Sequence, residues 1–334
     1  IQDYVGDSVR VLVSEGCDLY KDNWKKNRIA EVREMAEMSD VVILCLGLDA
    51  GIEGEQGDAG NDFASGDKPD LNLPGEQNQI LEAALDSGKP VVVLLLSGSA
   101  LAVNTAQERA AAVMQCWYPG AQGGRAAARI LFGEVSPQGH LPVTFYKSTE
   151  ELPEFTDYSM KNRTYRYMKQ EALYPFGYGL SYTTFTQEMG KITENDGTIS
   201  FDVTVTNTGD TAGKDVVEVY YNPPYTNGGI EKASANLIAY DKTKSLEPGE
   251  SQTLTISFKA EDMASYDYQK EKGYVLEAGD YEISINTDSH HIIESETYTV
   301  DETVKYTGDN KRSTDQTTVE NQFDYAAGDV TYLS

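Results

Sequence analysis

Residues 41–74 decide the fold, and they read VVILCLGLDAGIEGEQGDAGNDFASGDKPDLNLP. The opening run Val41–Leu46 is short, continuously apolar and followed by Gly47, which is typical of a strand buried on both faces of a sheet. The chain then enters a long loop that is dense in carboxylates. Because open α/β sheets place their working loops outside the carboxyl ends of the strands, this loop is the candidate functional segment.

Strand and helix patterns alternate on both sides of this stretch. Apolar runs with strand character are followed or preceded by segments whose apolar residues recur at helical spacing. The predicted strands are Ser8–Ser14, Val41–Leu46, Val91–Leu96 and Ala111–Cys116, and the predicted helices are Arg28–Met38, Gly75–Ser87 and Gly123–Phe132. Alternation of this kind predicts a mostly parallel sheet with helices on its faces, that is, an open α/β sandwich domain.

The pattern changes after about Thr184, where helical periodicity disappears. Short segments with alternating apolar residues follow one another, separated by turns. They are Thr198–Asn207, Val216–Tyr221, Ser251–Phe258, Tyr274–Leu276 and Tyr281–Ile285. This spacing predicts an immunoglobulin-like β-sandwich of fibronectin III-like type. We therefore expect an α/β domain at 1–184, a β-sandwich at 185–300 and a linker or tail at 301–334.

The charge and composition of the chain limit the kinds of molecule that it is expected to bind. The chain has 334 residues and a formal net charge of -27. That charge argues against binding to nucleic acid or to anionic membrane surfaces, which it would repel. No apolar run approaches the roughly 18 residues that a membrane-spanning helix needs. The three histidines show no zinc-type spacing, so neither a metal nor another cofactor is expected.

The three cysteines, Cys17, Cys45 and Cys116, cannot all pair with one another. Cys45 and Cys116 fall in apolar strand-like runs, so we expect them to be buried free thiols, which pack as small hydrophobic groups. Unpaired thiols favour a reducing compartment such as the cytoplasm.

Glu53 and Glu55 are the candidate catalytic residues of the acidic loop. A carboxyl group at such a position can donate a proton if burial or a neighbouring negative charge raises its pKa. The two glutamates alternate around Gly54, so at most one is expected to face a given substrate. The alternative is a solvated acidic loop or a weak cation site. An EF-hand is not supported, because the acidic residues from Asp58 onward lack its ligand spacing.

Other catalytic motifs are absent from the sequence. The glycines at 47, 51 and 54 do not form the dinucleotide-binding fingerprint, and Ser97-Gly-Ser99 lacks the flanking glycines of a nucleophile elbow. His140 is interpreted as a structural histidine. The aromatic segment at 164–182 has two interpretations, a packed hinge between the two domains or a surface that faces sugar rings.

Taken together, several ordered segments resemble glycoside hydrolase family 3. The matching segments are Leu71-Asn-Leu-Pro-Gly-Glu-Gln77 after the acidic loop, Trp117-Tyr-Pro-Gly-Ala-Gln-Gly-Gly124, Pro137-Gln-Gly-His-Leu-Pro-Val-Thr144, Tyr174-Pro-Phe-Gly-Tyr-Gly-Leu-Ser-Tyr-Thr183 and, in the β-sandwich, Thr204-Val-Thr-Asn-Thr-Gly209 with Leu246-Glu-Pro-Gly-Glu250. Any one of them could occur by chance, but the series in this order is specific.

The resemblance implies a retaining exo-β-glycosidase that hydrolyses O-glycosyl bonds of β-linked oligosaccharides or glycosides, with a β-glucosidase favoured. In that family a (β/α)8 barrel carries an Asp nucleophile, and a loop of the α/β domain carries the acid/base, about 5–5.5 Å away across the scissile bond. The acid/base commonly opens a Glu-Gly-x-Asp stretch. Glu55-Gln-Gly-Asp58 is the nearest match, with its glycine displaced by one position, and Glu53 is the alternative.

The sequence contains no barrel and no segment resembling the nucleophile's Ser-Asp-Trp motif. We therefore expect a piece of a longer polypeptide, inactive alone, whose partner is the barrel domain of the same polypeptide. The tail at 321–334 is interpreted as leading into such a barrel. Two competing hypotheses are a non-catalytic carbohydrate-binding or assembly module, and an α/β relative that binds a different ligand, because architecture alone does not fix function.

Overall fold

The computed structural model describes residues 1–54, 67–154 and 156–315. Its helices, in chain order, are α1 Gln2–Val5, α2 Ile29–Glu37, α3 Ala50–Glu53, α4 Gln77–Leu85, α5 Asn104–Arg109, α6 Gly123–Leu131 and α7 Thr164–Tyr167. Its strands are β1 Val42–Gly47, β2 Val91–Leu96, β3 Ala112–Gln115, β4 Phe185–Met189, β5 Thr193–Asn195, β6 Thr198–Asn207, β7 Val216–Asn222, β8 Asn236–Lys242, β9 Ser251–Lys259, β10 Ser265–Asp267, β11 Gly273–Leu276, β12 Gly279–Asp288, β13 His291–Val300 and β14 Val304–Tyr306.

The first domain is built on a parallel sheet in the order β1-β2-β3. Val42 lies opposite Val91, and Val92 lies opposite Ala112, so the three carboxyl ends meet at one edge. The predicted parallel α/β arrangement is confirmed. The loops that leave this edge are the acidic loop after β1, the turn after β2 and the turn after β3.

Helices α2 and α4 cover one face of this sheet. Their inward residues, such as Val32 and Leu81, share a core with Leu44, Leu46 and Val93 of the strands. Each fully buried side chain of this size contributes roughly 1.5–3 kcal/mol to folding. The alternation of buried and exposed residues along β1 is therefore set by which face the two helices cover.

Two expectations for this domain are wrong. The stretch Ser8–Ser14 forms no strand. Its valines alternate as a strand would, but Val13 is 83% exposed and no strand pairs with the segment in the described part of the chain. Cys45 is exposed, because it lies on the opposite face of β1 from Leu44 and Leu46, and Cys116, which follows β3, is only partly buried. The three cysteines are nevertheless unpaired, as expected.

The second domain is a β-sandwich, as predicted. One sheet has the order β13-β12-β7-β8, and the other joins β4, β6 and β5, with β9 paired to β6. Buried residues of both sheets, including Val203, Val205, Ile283 and Ile285, form a common core. A small antiparallel sheet, β10-β11-β14, lies beside them. Strand β14 lies inside the segment 301–334, which was expected to be a linker or tail.

Strand β7 joins the two domains. Every residue from Val216 to Tyr221 is buried, although the strand alternates its side chains between two faces. Val217 and Val219 enter the core of the sandwich. Glu218 and Tyr220 do not belong to that core and instead contact the α/β domain, so both faces of β7 are covered by protein.

The aromatic segment at 164–182 packs against this strand. The Tyr165 ring stacks on Phe176 at 4.3 Å between centroids and meets Tyr220 edge-on at 6.1 Å. Arg166 donates to the Asn236 side chain of β8 through two guanidinium nitrogens, at 2.8 and 3.2 Å. The segment is thus a packed contact between the domains.

Candidate functional site

Glu53 lies at the edge where the three parallel strands end. It is the last residue of α3, a single helical turn that begins three residues after β1. The Asp49 side chain caps this turn by accepting from the Ile52 amide at 2.9 Å, and Ile52 is buried. A capped turn anchored by a buried isoleucine holds the Glu53 side chain in a defined direction.

The Glu53 carboxylate accepts hydrogen bonds from the two neighbouring loops. The Gly98 amide donates at 3.0 Å and the Ser99 hydroxyl donates to the second carboxylate oxygen, both from the turn after β2. The Tyr118 hydroxyl, from the turn after β3, is the third donor. One carboxylate therefore connects the loops that follow all three strands.

These contacts favour the ionised form of Glu53. Burial acts to raise its pKa, but the hydrogen bonds from Ser99, Tyr118 and Gly98 and the positive charge of Lys68 outweigh burial, so the pKa lies below its ordinary value. Burial, together with the Glu53 carboxylate, raises the pKa of Tyr118, which therefore stays a hydrogen-bond donor at neutral pH.

Lys68 lies on the far side of the acidic loop. Its ammonium group donates to the Ala100 carbonyl at 2.6 Å. Burial lowers the pKa of Lys68, while the charges of Glu53 and Asp70 act in the opposite direction. The side chain thus brings a positive charge to the turn that Glu53 also contacts.

Trp117 gives the third loop its shape. Its φ of 53° is in the left-handed region, which bulky residues rarely adopt and which usually marks a site under constraint. Its ring meets Phe145 edge-on at 6.5 Å between centroids, which holds the residue in place. The next residue, Tyr118, is thereby directed across the edge of the sheet to Glu53.

The junction between β1 and its loop is held by Gln77. The Gln77 side chain accepts from the Gly47 amide at 2.7 Å and donates to the Gly47 carbonyl at 2.8 Å and to the Leu19 carbonyl at 2.6 Å. Gly47 has a φ of 137°, and a Cβ there would overlap the Leu96 carbonyl of β2. Glycine at 47 and glutamine at 77 together fix where the acidic loop begins.

The predicted site residues are described to different extents. Glu53 has the contacts given above. Glu55 and Asp58 lie outside the described residues. His140 Nδ1 is hydrogen-bonded to an oxygen of the buried Glu218 carboxylate at 2.7 Å, far in sequence from the acidic loop. Among the described residues no cluster of three or more histidine, cysteine, aspartate or glutamate side chains could hold a metal ion.

Sequence reasoning missed Tyr118 and Ser99 as partners of Glu53. Both were visible only as parts of longer motifs, since nothing in their spacing connects them to a residue 46 or 65 positions earlier.

A groove of about 210 Å³ lies in the other domain, where Tyr266, Tyr268 and Lys305 are among its lining residues. No helix in the described ranges is long and apolar enough to cross a membrane.

Comparisons with known families match both domains. Residues 1–182 match the model of the glycosyl hydrolase family 3 C-terminal domain, and residues 215–289 match that of a fibronectin type III-like domain. Both matches agree with the architecture described above.

Relatives with known names match over much of this chain. A xylan 1,4-beta-xylosidase of Xylanibacter ruminicola is 37% identical, over 74% of this chain and 28% of its own length. A periplasmic beta-glucosidase of Salmonella typhimurium is 28% identical, over 87% of this chain and 41% of its own length. The crystal structure of a β-glucosidase from Bifidobacterium adolescentis superposes with a TM-score of 0.77 at 28% identity, covering 88% of this chain and 44% of that one. The chain therefore spans less than half the length of these relatives.

Proposed function

The chain belongs to glycoside hydrolase family 3, and from this premise we propose that it supplies the general acid/base of a retaining exo-β-glycosidase. The observation that carries the proposal is the edge of the parallel sheet, where a carboxylate-rich loop leaves β1 and is tied through Glu53 to the loops after β2 and β3. Catalytic loops of open α/β sheets lie at this edge.

Glu55 is the proposed proton donor. It protonates the glycosidic oxygen while the bond to the anomeric carbon breaks and an Asp nucleophile forms the glycosyl-enzyme. In the second step it removes a proton from the water that hydrolyses this intermediate. The nucleophile belongs to a (β/α)8 barrel domain of the same polypeptide. That barrel domain also binds the sugar.

The proposed substrate is a β-glucoside or a β-linked gluco-oligosaccharide. The Salmonella typhimurium relative, which aligns over 87% of this chain, is named a β-glucosidase, and so is the Bifidobacterium adolescentis structure. The Xylanibacter ruminicola relative is named a xylosidase, so β-xylosides are the substrates to compare. With the domain limits proposed from the sequence, near residues 184 and 300, the acidic loop belongs to the α/β domain. The β-sandwich then has a structural role beside that domain.

The test uses the protein encoded by the complete gene. We expect Glu55→Gln to lower kcat for an aryl β-glucoside with a poor leaving group by about 10²–10⁴-fold, the usual contribution of general acid–base catalysis. Azide should partly restore turnover of an activated aryl glucoside and yield the glucosyl azide. Glu34→Gln, which removes an exposed carboxylate from α2, is the control and should retain most activity.

Three outcomes would overturn this proposal. Turnover of an aryl β-glucoside by the 334-residue chain alone would show that the nucleophile lies within it. Full activity of the Glu55→Gln variant would remove the acid/base role from that residue. Sugar affinity of the chain, combined with no hydrolysis by the complete protein, would instead support a carbohydrate-binding or assembly module.

A further inference from the structure

We propose that Glu53 is a positioning residue, which with Tyr118, Ser99, Gly98 and Lys68 fastens both sides of the acidic loop to the edge of the sheet and does not itself transfer the proton. We call these five residues the edge clamp. Its contribution to hydrolysis rests on the function proposed above, whereas its contacts do not.

The edge clamp holds the loop on two sides. On the amino-terminal side of the loop, the Glu53 carboxylate accepts hydrogen bonds from the Gly98 amide at 3.0 Å and from the Ser99 hydroxyl. On the carboxyl-terminal side of the loop, the Lys68 ammonium group donates to the Ala100 carbonyl at 2.6 Å. Both attachments are made to the same three-residue turn after β2, so that turn sets the separation of the loop's two sides.

The chemistry of Glu53 suits an anchor better than an acid. A general acid must carry a proton at the working pH. Among the residues that the structure describes, the partners of the Glu53 carboxylate are hydrogen-bond donors: an amide and two hydroxyl groups. Donors stabilise the ionised form, and Lys68 adds a positive charge nearby. With its oxygens already engaged, Glu53 is a hydrogen-bond acceptor held in one direction.

The surroundings are shaped to this arrangement. A Cβ on Gly98 would lie 2.6 Å from a Glu53 carboxylate oxygen and 2.9 Å from the Tyr118 ring, so a larger residue there would displace these side chains from their present positions. Trp117 adopts a strained φ of 53°, which directs the next residue to the carboxylate. A backbone strained in this way is retained when the contact that it makes is needed.

The first experiment tests the contacts of the edge clamp by a measurement that does not depend on enzymatic activity. Amide hydrogen exchange of Gly98 is measured in the 334-residue chain. We expect Glu53→Ala to speed exchange at Gly98 at least about tenfold, because the amide loses its acceptor. Tyr118→Phe should change it in the same direction by less, and this milder variant keeps the test open if Glu53→Ala does not fold.

The matched control is Tyr4→Phe. The Tyr4 hydroxyl also donates to a glutamate, Glu134, at 3.1 Å, but on another part of the same domain. The Tyr4→Phe variant should therefore leave amide exchange at Gly98 unchanged. Equal exchange at Gly98 in the wild type and in Glu53→Ala would overturn the edge clamp.

The second experiment reads catalysis in the protein encoded by the complete gene. We expect Glu53→Gln and Tyr118→Phe to lower kcat for aryl glucosides. The loss should be about tenfold larger for substrates with poor leaving groups than for activated ones. The basic limb of the pH profile should remain, since the proton donor is still present, and azide should not restore turnover.

The two possible failures are distinguishable. If azide rescues Glu53→Gln and produces glucosyl azide, Glu53 is the acid/base and the positioning role is rejected. If the wild-type complete protein hydrolyses no β-glycoside, the proposed function fails, and Gly98 exchange still decides whether the edge clamp exists.

Discussion

At Gly177 the absence of a side chain lets the two domains meet. The Glu218 carboxylate of the β-sandwich lies directly against this residue of the α/β domain, and a Cβ there would overlap the carboxylate. Gly177 also has a φ of 86°, which disfavours other residues. Two independent constraints, one from the backbone and one from the domain contact, thus require glycine at a single position.

Gly249 allows the two constraints at Gly177 to be separated. Its φ of 80° is nearly the same, but nothing lies within 4 Å of where its Cβ would be. We expect Gly249→Ala to cost about 1 kcal/mol in the free energy of unfolding, from backbone strain alone. Gly177→Ala should cost about 3 kcal/mol or more, because the overlap adds to the strain. Urea denaturation measures both, and equal costs would show that the carboxylate moves away freely.

Glu53 makes a prediction about pH at the same scale. Hydrogen bonds and Lys68 hold its folded-state pKa below the ordinary value, so its contribution to stability is present above the unfolded-state pKa of about 4.3 and is lost as the pH falls through the folded-state value. The difference in unfolding free energy between the wild type and Glu53→Gln should therefore be larger at pH 6 than at pH 3.5. A difference that grew toward acid pH would contradict this account.

Among the elements, α4 determines where β1 ends. Gln77, at its first turn, bonds to both backbone groups of Gly47 and to the Leu19 carbonyl. It is 2% exposed, so water cannot replace these bonds when the side chain is removed. The glutamine of the Leu-Pro-Gly-Glu-Gln segment therefore has a structural role at the start of the acidic loop.

We predict that Gln77→Ala destabilises the chain by about 2–4 kcal/mol, because buried backbone donors and acceptors lose their partners. Gln79→Ala, on the exposed side of the same helix, should change the unfolding free energy by less than about 0.5 kcal/mol. Thermal and urea denaturation give both values. A Gln77→Ala variant as stable as the wild type would mean that the junction rearranges to satisfy these groups.

The elements that the sequence predicted well are those with strong local periodicity. The bounds of Val91–Leu96 and Thr198–Asn207 agree with the structure residue for residue, because each run carries its own apolar pattern. Strand β13 was missed because most of its side chains are exposed, so no alternating buried apolar face marks it in the sequence. Ser8–Ser14 was overpredicted because alternation supplies a propensity but not a partner strand.

The same distinction applies to the candidate site. The acidic loop could be identified because its carboxylates follow a strand in the sequence. The donors to Glu53 could not, because Gly98, Ser99 and Tyr118 reach it only when the parallel register brings three strand ends together. Contacts between residues far apart in sequence depend on topology, which a single sequence leaves open.

For the molecule as a whole, the buried Glu218 carboxylate contributes to the contact between the domains, together with the aromatic rings. Glu218 accepts from the Tyr220 hydroxyl at 2.7 Å and bonds His140 Nδ1 at 2.7 Å. Nearby, the Lys242 ammonium group donates to the Gln138 carbonyl at 2.7 Å. Each domain has its own apolar core, so these polar contacts and the stacked aromatic rings couple two units that could otherwise unfold separately.

We therefore predict that Glu218→Ala uncouples the domains. His140, across the interface, and Tyr220, in the same strand, lose their buried partner, which should cost about 2–4 kcal/mol in the free energy of unfolding. In differential scanning calorimetry, the unfolding transition of Glu218→Ala should be broader than that of the wild type or split in two, since each core then unfolds at its own temperature. Glu188→Ala, which removes an exposed glutamate from the same sandwich, should leave the transition unchanged. A single unshifted transition in Glu218→Ala would show that the aromatic packing of Tyr165 on Phe176 and Tyr220 couples the domains without the carboxylate.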